Sequence, residues 1–265
     1  MPHTLLPIQK WIFPASAGLN PIITVCAPAW NTIAVSISLA FMEYSKAGYM
    51  TLFSHEMQNG LVWLPELGIG RYPVPPERPY DASYFAKYRQ MAQTTMGMQL
   101  NAARIQLVAR HHQGRVLDVG IGSGQFVETR PETWGYDVNP EGIAWLKAGG
   151  RWANLYDSYF PDGDFPALTF WDSLEHIDDP EAAVARAGEW VFVSLPVFKS
   201  AEHILTSRHY RKDEHIWYFT DEGIRRWFGA QGFVCAEQNT IESMLGRDGI
   251  SSYAFRRIRH ATKNA

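Results

Sequence analysis

The sequence predicts an α/β protein built on a doubly wound, mainly parallel sheet. The first observation is a short apolar strand, Val116–Val119, which leads through three glycines at alternate positions into the start of a helix. The second is that apolar runs alternate with helical patterns along the rest of the chain. The third is a globular composition over 265 residues, 46% hydrophobic and 19% charged. These features indicate one large domain, or one domain with an appendage.

Charge and cysteine content exclude several classes of protein. The net charge is −3, so the chain lacks the basic footprint that nucleic-acid-binding proteins usually carry. Its two cysteines, Cys26 and Cys235, are too few for a disulfide framework or a cysteine-based zinc site. We therefore expect no metal site, and a reduced, cytoplasmic setting.

Residues 1–49 form an N-terminal extension of uncertain order. Residues 11–42 contain no Asp, Glu, Lys or Arg, which raises the question of a membrane span. Pro28 interrupts this stretch, and Lys10 lies far from any defined apolar core, so the pattern favours neither a span nor a signal peptide. Ordinary composition resumes at Met50, so residues 1–49 are expected to be either a poorly ordered extension or upstream sequence from a misjudged start.

Residues 50–110 are predicted to contain loops followed by a helical cap. A turn precedes Leu61–Leu64, which has the composition of a short strand. The segment Gly68–Pro79 holds two glycines and four prolines, so it is predicted to be a loop. Asp81 then caps a long helical pattern, which Gly97 is expected to divide into two helices.

The predicted cap carries aromatic side chains on one face. Tyr84, Phe85 and Tyr88 share a face of the first helix. On the second helix, Ile105 and Val108 are expected to face the core. The aromatic face could close over an active site or simply pack against the edge of the sheet, and the sequence leaves both interpretations open.

The glycine turn predicts a site for a nucleotide-like ligand. Glycines lack a Cβ atom, so a ligand can approach the main chain closely, and the helix N-terminus that follows presents backbone N–H groups. A dinucleotide fingerprint would place its third glycine where this chain has Gln125. Asp118 would repel a pyrophosphate but suits a ligand with a cationic end. S-adenosylmethionine, with its ammonium and sulfonium groups, meets that requirement.

The stretch Arg115–Phe126 resembles motif I of the class I S-adenosylmethionine-dependent methyltransferases. The segments Asp172–Ile177 and His215–Thr220 resemble those of the type-11/type-23-like small-molecule members. The resemblance covers residues 111–260 and leaves 261–265 as a tail. It implies a Rossmann-like, seven-stranded sheet with an antiparallel last strand, an N-terminal helical cap, and S-adenosylmethionine as cofactor.

The elements after motif I are predicted from local signals. Only thirteen positions separate Gly124 from Asp137, so the first crossover helix must be short. Asn139 followed by Pro140 starts the next helix, and Gly149 ends it. The later strands are predicted at residues 133–137, 152–156, 165–171, 190–195, 233–236 and 253–258.

The resemblance also implies which residues hold the cofactor. An acid at the end of the second strand accepts hydrogen bonds from the ribose hydroxyls, and an acid after the third strand meets the adenine amino group. The predicted cofactor-binding residues are Asp118, Gly120, Gly122, Gly124, Asp137, Val138, Asp157 and Asp172.

His176 and His215 are the predicted catalytic residues. Both are expected near the C-terminal edge of the sheet, where such folds bind ligands. Methyl transfer needs mainly orientation and a dry pocket, but an acceptor that must lose a proton also needs a base. Histidine suits that task because its ordinary pKa lies near neutrality. Alternatively, each histidine only hydrogen-bonds the backbone of a loop.

The sequence thus predicts methyl transfer to a small-molecule acceptor. The Asp/Asn-Pro-Pro-Tyr/Phe motif of amino-methylating DNA enzymes is missing, and so is the Pro-Cys pair of cytosine C5 enzymes. Three alternatives stay open: a macromolecular acceptor, a catalytically silent binding module, and a nicotinamide-dependent oxidoreductase. The sequence predicts neither the acceptor nor the oligomeric state.

Overall fold

The computed structural model describes residues 55–56, 60–72, 80–157 and 165–258. The strands are β1 (His55–Glu56), β2 (Val62–Leu64), β3 (Ile69–Arg71), β4 (Val116–Val119), β5 (Thr133–Tyr136), β6 (Phe165–Trp171), β7 (Ala187–Phe198), β8 (Trp217–Thr220), β9 (Phe233–Asn239) and β10 (Ile250–Arg257). The helices are α1 (Ala82–Ala92), α2 (Thr95–His111), α3 (Gln125–Thr129), α4 (Pro140–Ala148), α5 (Pro180–Ala185), α6 (Ala201–Thr206), α7 (Asp221–Ala230) and α8 (Ile241–Met244). A 3-10 helix, Leu174–His176, lies between β6 and α5.

The centre of the sheet is parallel. In the order β5-β4-β6-β7, each strand runs parallel to its neighbour. β10 pairs antiparallel with both β7 and β9. The predicted α/β class, with its antiparallel last strand, is confirmed. Because these strands are covered on both faces, they are almost continuously apolar, and β4 is buried at all four positions.

Four short strands extend the sheet beyond the predicted seven. The end of β7 pairs parallel with β8, β8 pairs antiparallel with β3, and β2 and β1 follow. The prediction that Gly68–Pro79 is entirely loop was therefore wrong, because Ile69–Arg71 is a strand. A three-residue strand with a glycine at its centre carries no pattern of its own, and its pairing with β2 on one side and β8 on the other defines it.

The predicted third strand, 152–156, is reduced to one parallel bridge between Gly135 and Trp152. The N–H of Gly135 donates to the carbonyl of Arg151 at 2.8 Å, and the N–H of Ala153 donates back to Gly135 at 3.0 Å. The chain then turns, because the side-chain oxygen of Asn154 accepts from the N–H two residues later.

Two cap helices are present, as predicted, but Gly97 does not divide them. The break lies at Gln93 and Thr94, and the Thr94 hydroxyl caps α2 by accepting from the N–H of Gly97 at 3.0 Å. Gly97 instead allows α2 to lie close to the end of α1. A Cβ at Gly97 would lie 2.3 Å from the carbonyl oxygen of Met91, at the end of α1.

The predicted short crossover and the following helix are confirmed. α3 has only five residues. Asn139 caps α4 through the N–H of Glu141, Pro140 occupies the first turn, and Gly149 is the C-cap. No helix in the part of the chain that the structure describes is long and apolar enough to cross a membrane. The uncharged stretch 11–42 lies outside the described residues.

Candidate active site

The glycine turn after β4 depends on left-handed backbone conformations. Three glycines have positive φ: Gly120 (77°), Gly122 (54°) and Gly124 (74°). A Cβ at Gly120 would lie 2.6 Å from the Cβ of Ser173, and one at Gly124 would lie 2.5 Å from the ring of Trp145. These two glycines are therefore needed for the packing of the protein itself.

Gly122 differs because a side chain at this position would meet no close neighbour. The nearest heavy atom to a Cβ at this position is Cδ1 of Tyr88, at 3.8 Å. That distance is an ordinary van der Waals contact, so no neighbouring group prevents a side chain here. The space between Gly122 and α1 is where a ligand can meet the main chain of the turn.

Asp118 lies beneath the turn and is almost fully buried, at 1% exposure. The hydroxyl of Thr169 donates to its Oδ1 at 2.6 Å. Burial raises the pKa of Asp118 to about 7, although the Thr169 hydrogen bond opposes the shift. A cationic group bound nearby would favour the ionised form, so this acid is suited to pair with an ammonium group.

Asp137, at the end of β5, lies beside the same turn. The N–H of Asn139 donates to its Oδ1 at 2.8 Å. Burial raises the pKa of Asp137, and backbone N–H groups, including those of Ile121 and Gly122, lower it. The structure thus brings Asp137 together with the glycine turn. Val138 follows with 59% of its surface exposed.

Two other predicted cofactor ligands have contacts elsewhere in the protein. The backbone carbonyl of Asp157 accepts from Nη2 of Arg186 at 2.9 Å, which fixes the end of this segment. The carboxylate of Asp172 is bound by Arg104 at 2.9 Å and by Arg247 at 2.7 and 2.9 Å. The carboxylate of Asp172 therefore organises the protein interior, and its assignment as a cofactor ligand stays a prediction that these contacts do not favour.

Asp172 belongs to a charged cluster that sequence reasoning missed. Arg104 donates to both oxygens of Glu242, at 2.8 and 3.0 Å, and Arg247 also binds Glu242. Burial opposes ionisation of Asp172, but the charges of Arg247 and Arg104 outweigh it and lower the pKa to about 2. The four side chains tie α2, the end of β6 and the α8 region together. No local pattern reveals them, because Arg104 and Glu242 are 138 positions apart.

The two predicted catalytic histidines lie in contact, although they are distant in sequence. Their rings meet edge to face with centroids 4.7 Å apart. Nδ1 of His176 lies 2.8 Å from the carbonyl oxygen of Glu214. Because a carbonyl can only accept, Nδ1 carries the proton, and Nε2 holds the lone pair of the neutral ring. The side chain of His176 is 14% exposed.

His215 is the more deeply buried of the pair, at 4% exposure. Burial, followed by the neighbouring His176, lowers the pKa of His215 well below its ordinary value. The ring is therefore neutral at physiological pH. A neutral imidazole has one lone pair available to a proton or to an electrophile.

Glu175 completes this group, although its sequence context predicted no role for it. It is 1% exposed, and its Oε1 lies 4.0 Å from Nε2 of His176. Burial and the charge of Asp172 raise the pKa of Glu175 to about 8. Among the residues that the structure describes, neither of its carboxyl oxygens has a hydrogen-bond partner. The only sequence signal was its place in the Leu174–His176 segment.

Helix α1 lies across the glycine turn. Its aromatic face includes Tyr84 and Tyr88, whose rings lie 4.7 Å apart. Tyr88 provides the heavy atom nearest to a Cβ at Gly122. Three side-chain hydrogen bonds hold the helix there: Arg89 to the carbonyl of Ser123 (3.1 Å), Gln125 to the carbonyl of Ala92 (3.0 Å) and Asn139 to the carbonyl of Asp81 (3.0 Å). Of the two placements that the sequence left open, these contacts favour a cap over the turn.

Three features together define the class I S-adenosylmethionine-dependent methyltransferases. They are a sheet with an antiparallel last strand, a glycine turn that a ligand can approach, and a buried acid beneath that turn. A family model described as a methyltransferase domain matches residues 88–238, which is more than half of the chain. The chain belongs to that family. It is an S-adenosylmethionine-dependent methyltransferase, and the comparison does not identify its acceptor.

Solved structures share the fold at low sequence identity. Magnesium protoporphyrin IX methyltransferase from Synechocystis PCC 6803, with bound SAH, is 14% identical, with a TM-score of 0.50 over 68% of this chain and 96% of that one. A possible histamine N-methyltransferase from Thermotoga maritima is 14% identical, with a TM-score of 0.51 over 66% and 97%. A putative methyltransferase from Haloferax volcanii, in complex with its Trm112 activator, is 15% identical, with a TM-score of 0.50 over 67% and 97%. No curated protein sequence matches the chain.

Proposed function

We propose that this methyltransferase acts on a small-molecule acceptor, which binds between α1 and the loops that follow β6 and β7. The observation that carries the proposal is the position of α1. Tyr88 lies next to Gly122, and the ring of Tyr84 lies 4.7 Å from that of Tyr88. The aromatic face therefore borders the glycine turn. An aromatic helix over the turn would help to exclude water from a bound acceptor.

The cofactor is proposed to lie along the glycine turn. Gly122 admits it to the main chain, Asp118 pairs with its ammonium group, and Asp137 accepts from the ribose hydroxyls. Val138 and Asp157 are assigned to the adenine end. Asp172 is assigned to hold Arg104 and Arg247 in place and thereby supports the site without binding the cofactor through its carboxylate.

The reaction is a displacement at the methyl carbon. A lone pair of the acceptor forms the new bond to carbon, and the electrons of the carbon–sulfur bond stay on sulfur, which becomes a neutral thioether. If the acceptor atom carries a proton, a base must take it up. We assign that role to His176, whose Nε2 holds a lone pair and whose side chain is partly exposed. Buried His215 is assigned to position the His176 ring.

The test is an untargeted metabolite screen with an isotopically labelled methyl donor. We expect the labelled methyl group in one small-molecule product, together with demethylated cofactor. Label confined to protein or nucleic acid would instead favour a macromolecular acceptor. Cofactor binding without any labelled product across a broad extract would favour a silent binding module.

Once an acceptor is known, His176→Ala and His215→Ala separate the proposed roles. If His176 is the base, His176→Ala should lose turnover and retain its affinity for the cofactor. The pH–rate profile should then lose its limb near neutrality. Normal turnover in both variants would mean that orientation alone carries the reaction and that the base assignment is wrong.

A further inference from the structure

We propose that Glu175, His176 and His215 form a binding site for a divalent transition-metal ion of the Zn²⁺ type. One ligand atom from each residue lies within 4.8 Å of the other two. A carboxylate oxygen with two imidazole nitrogens is a donor set that Zn²⁺ and similar ions bind readily. Metal–ligand distances of about 2.1 Å place tetrahedral donors roughly 3.4 Å apart, so the three side chains need to close by about 1 Å on binding.

Glu175 is the strongest evidence for a ligand. A buried carboxylate ordinarily accepts several hydrogen bonds, because desolvation without a partner is costly. In the described part of the chain, however, both oxygens of Glu175 lack a hydrogen-bond partner, and the residue is 1% exposed. Its Oε1 lies beside the His176 ring. A bound cation would provide the partner that this carboxylate needs.

The histidines are oriented as metal ligands usually are. His176 uses Nδ1 to donate to the Glu214 carbonyl at 2.8 Å, which is the outer hydrogen bond that a ligating imidazole commonly makes. This bond turns Nε2 toward Glu175, at 4.0 Å from Oε1. Nδ1 of His215 is buried and has no hydrogen-bond partner among the described residues. Buried and neutral, this ring can donate a lone pair to a metal ion.

The surrounding charges do not repel a cation. Two guanidinium groups, Arg104 and Arg247, lie near the cluster, but they are bound to two carboxylates, Asp172 and Glu242. Arg211 is paired with Glu214 at 2.8 Å. These neighbouring charges therefore largely cancel, and the Glu175 carboxylate is left to neutralise part of the charge of the ion.

The metal proposal and the base proposal concern two states of the protein, because only the metal-free form leaves His176 able to act as a base. A metal ion bound to both imidazoles takes up the lone pairs that a base needs. Three protein ligands leave a fourth position, which a water molecule or an oxygen of the acceptor can occupy. Metal binding is measurable without any acceptor, so its failure would leave the proposed methyl transfer untouched.

The experiment uses the full-length protein without a polyhistidine tag, stripped of metal with a chelator. Co²⁺ is titrated while its visible absorption is recorded, and Zn²⁺ binding is measured by calorimetry. We expect one equivalent of each ion and an absorption spectrum typical of tetrahedral Co²⁺. Glu175→Gln, His176→Gln and His215→Gln should each weaken Co²⁺ binding by about 100-fold or more, since even the loss of an outer-shell partner costs about 10–100-fold. His112→Gln is the matched control, because His112 hydrogen-bonds the carbonyl of Arg115 and lies outside the cluster.

Melting temperatures distinguish metal binding by Glu175 from a merely structural role of this residue. Metal-free Glu175→Gln should melt close to the metal-free wild type, because the substitution exchanges a buried carboxyl group without partners for an amide of nearly the same shape. Zn²⁺ should raise the melting temperature of the wild type and of His112→Gln, but not that of the cluster variants. The proposal is overturned if the wild type binds no stoichiometric ion, or if the cluster variants bind it as the wild type does. If Glu175→Gln fails to fold, His215→Gln decides the outcome by the same two measurements.

Discussion

At the scale of single residues, the three glycines of the turn have different tasks, although the sequence pattern makes them look equivalent. Gly120 and Gly124 leave room for Ser173 and Trp145, whereas a Cβ at Gly122 would make only an ordinary contact with Tyr88. A substitution at Gly120 or Gly124 would therefore disturb packing as well as binding. Gly122 is the position at which cofactor binding can be tested with the least effect on packing.

Gly122→Val should abolish binding of S-adenosylmethionine, because its side chain would fill the space in which the ligand meets the main chain. The measurement is the shift of melting temperature with cofactor concentration, which follows mass action. Gly150→Val is the matched control. Gly150 also has a positive φ, 65°, and a Cβ there would meet nothing within 4 Å, so it reproduces the backbone strain but lies at the end of α4. An undiminished cofactor shift in Gly122→Val would show that the ligand binds elsewhere.

Cofactor affinity should depend on the ionisation of Asp118. Burial raises the pKa of Asp118 to about 7 in the ligand-free protein, and a cationic ligand favours the ionised form. At pH 6 the carboxyl is mostly protonated and must lose its proton on binding, so affinity should increase as the pH rises through 7. From pH 6 to pH 7.5 we expect about an eightfold gain, measured by calorimetry. The amino group of the ligand titrates near pH 8, outside most of this interval.

Asp118→Asn tests that assignment. The variant keeps the titration of the ligand and loses that of the carboxyl, so its affinity should be lower and nearly independent of pH over the same interval. If the variant showed the same pH dependence as the wild type, another group would be responsible.

At the scale of elements, the ion-pair cluster fixes α2 and the α8 region to the end of β6. Arg247→Ala should lower the free energy of unfolding by about 3 kcal/mol, because it leaves Asp172 and the nearly inaccessible Glu242 with one guanidinium partner instead of two. Urea denaturation measures the change. The control is Arg226→Ala, which removes an exposed pair with Glu222 and should cost less than about 1 kcal/mol. Equal effects of the two substitutions would mean that the cluster adds no more than a surface pair.

The elements that the sequence predicted correctly are those with local signals. The full span of β6 follows from a mainly apolar run, and α4 follows from Asn139, Pro140 and Gly149. The position of the α1–α2 break was wrong because Gly97 serves helix packing, which depends on the neighbouring helix and not on the intrinsic propensity of glycine.

The elements that the sequence missed depend on distant partners. β3 has three residues, and it is a strand because it pairs with β2 on one side and with β8, about 150 positions later, on the other. The pairing of Arg104 with Glu242 and the approach of Glu175 to His215 are also non-local. On the cofactor side, the glycine turn concentrates its signal in a few adjacent residues, so these residues could be named from the sequence alone.

At the scale of the whole molecule, the order of the strands places the residues of the candidate site at one edge of the sheet. β4, β5 and β6 are parallel neighbours, so the segments that leave their C-terminal ends emerge at one edge of the sheet. That edge carries the glycine turn, Asp137 and the Leu174–His176 helix. The long β7 then carries the sheet past this edge, where its last two residues pair with β8 and bring His215 to the histidine cluster.

The same architecture predicts which parts of the N-terminal region are needed. A chain that begins at Met50 should fold and bind cofactor as the full-length protein does, because it retains β1, β2, β3 and the α1–α2 cap. A chain that begins at Tyr80 should be clearly less stable. It loses β3, which pairs with β8, and it loses the Gly68 carbonyl that accepts from the N–H of Thr220 at 2.9 Å.

Melting temperature and cofactor affinity, compared across the two shortened chains and the full-length protein, test this prediction. Loss of β3 exposes one edge of β8 and uncovers Phe219, which is 1% exposed in the sheet. The same loss should perturb the neighbouring His215, so the Tyr80 chain should bind Co²⁺ less tightly than the Met50 chain if the metal site exists. If the Met50 chain is insoluble, residues 1–49 contribute to the core. If the Tyr80 chain is as stable as the Met50 chain, the extension beyond β8 is dispensable to the fold.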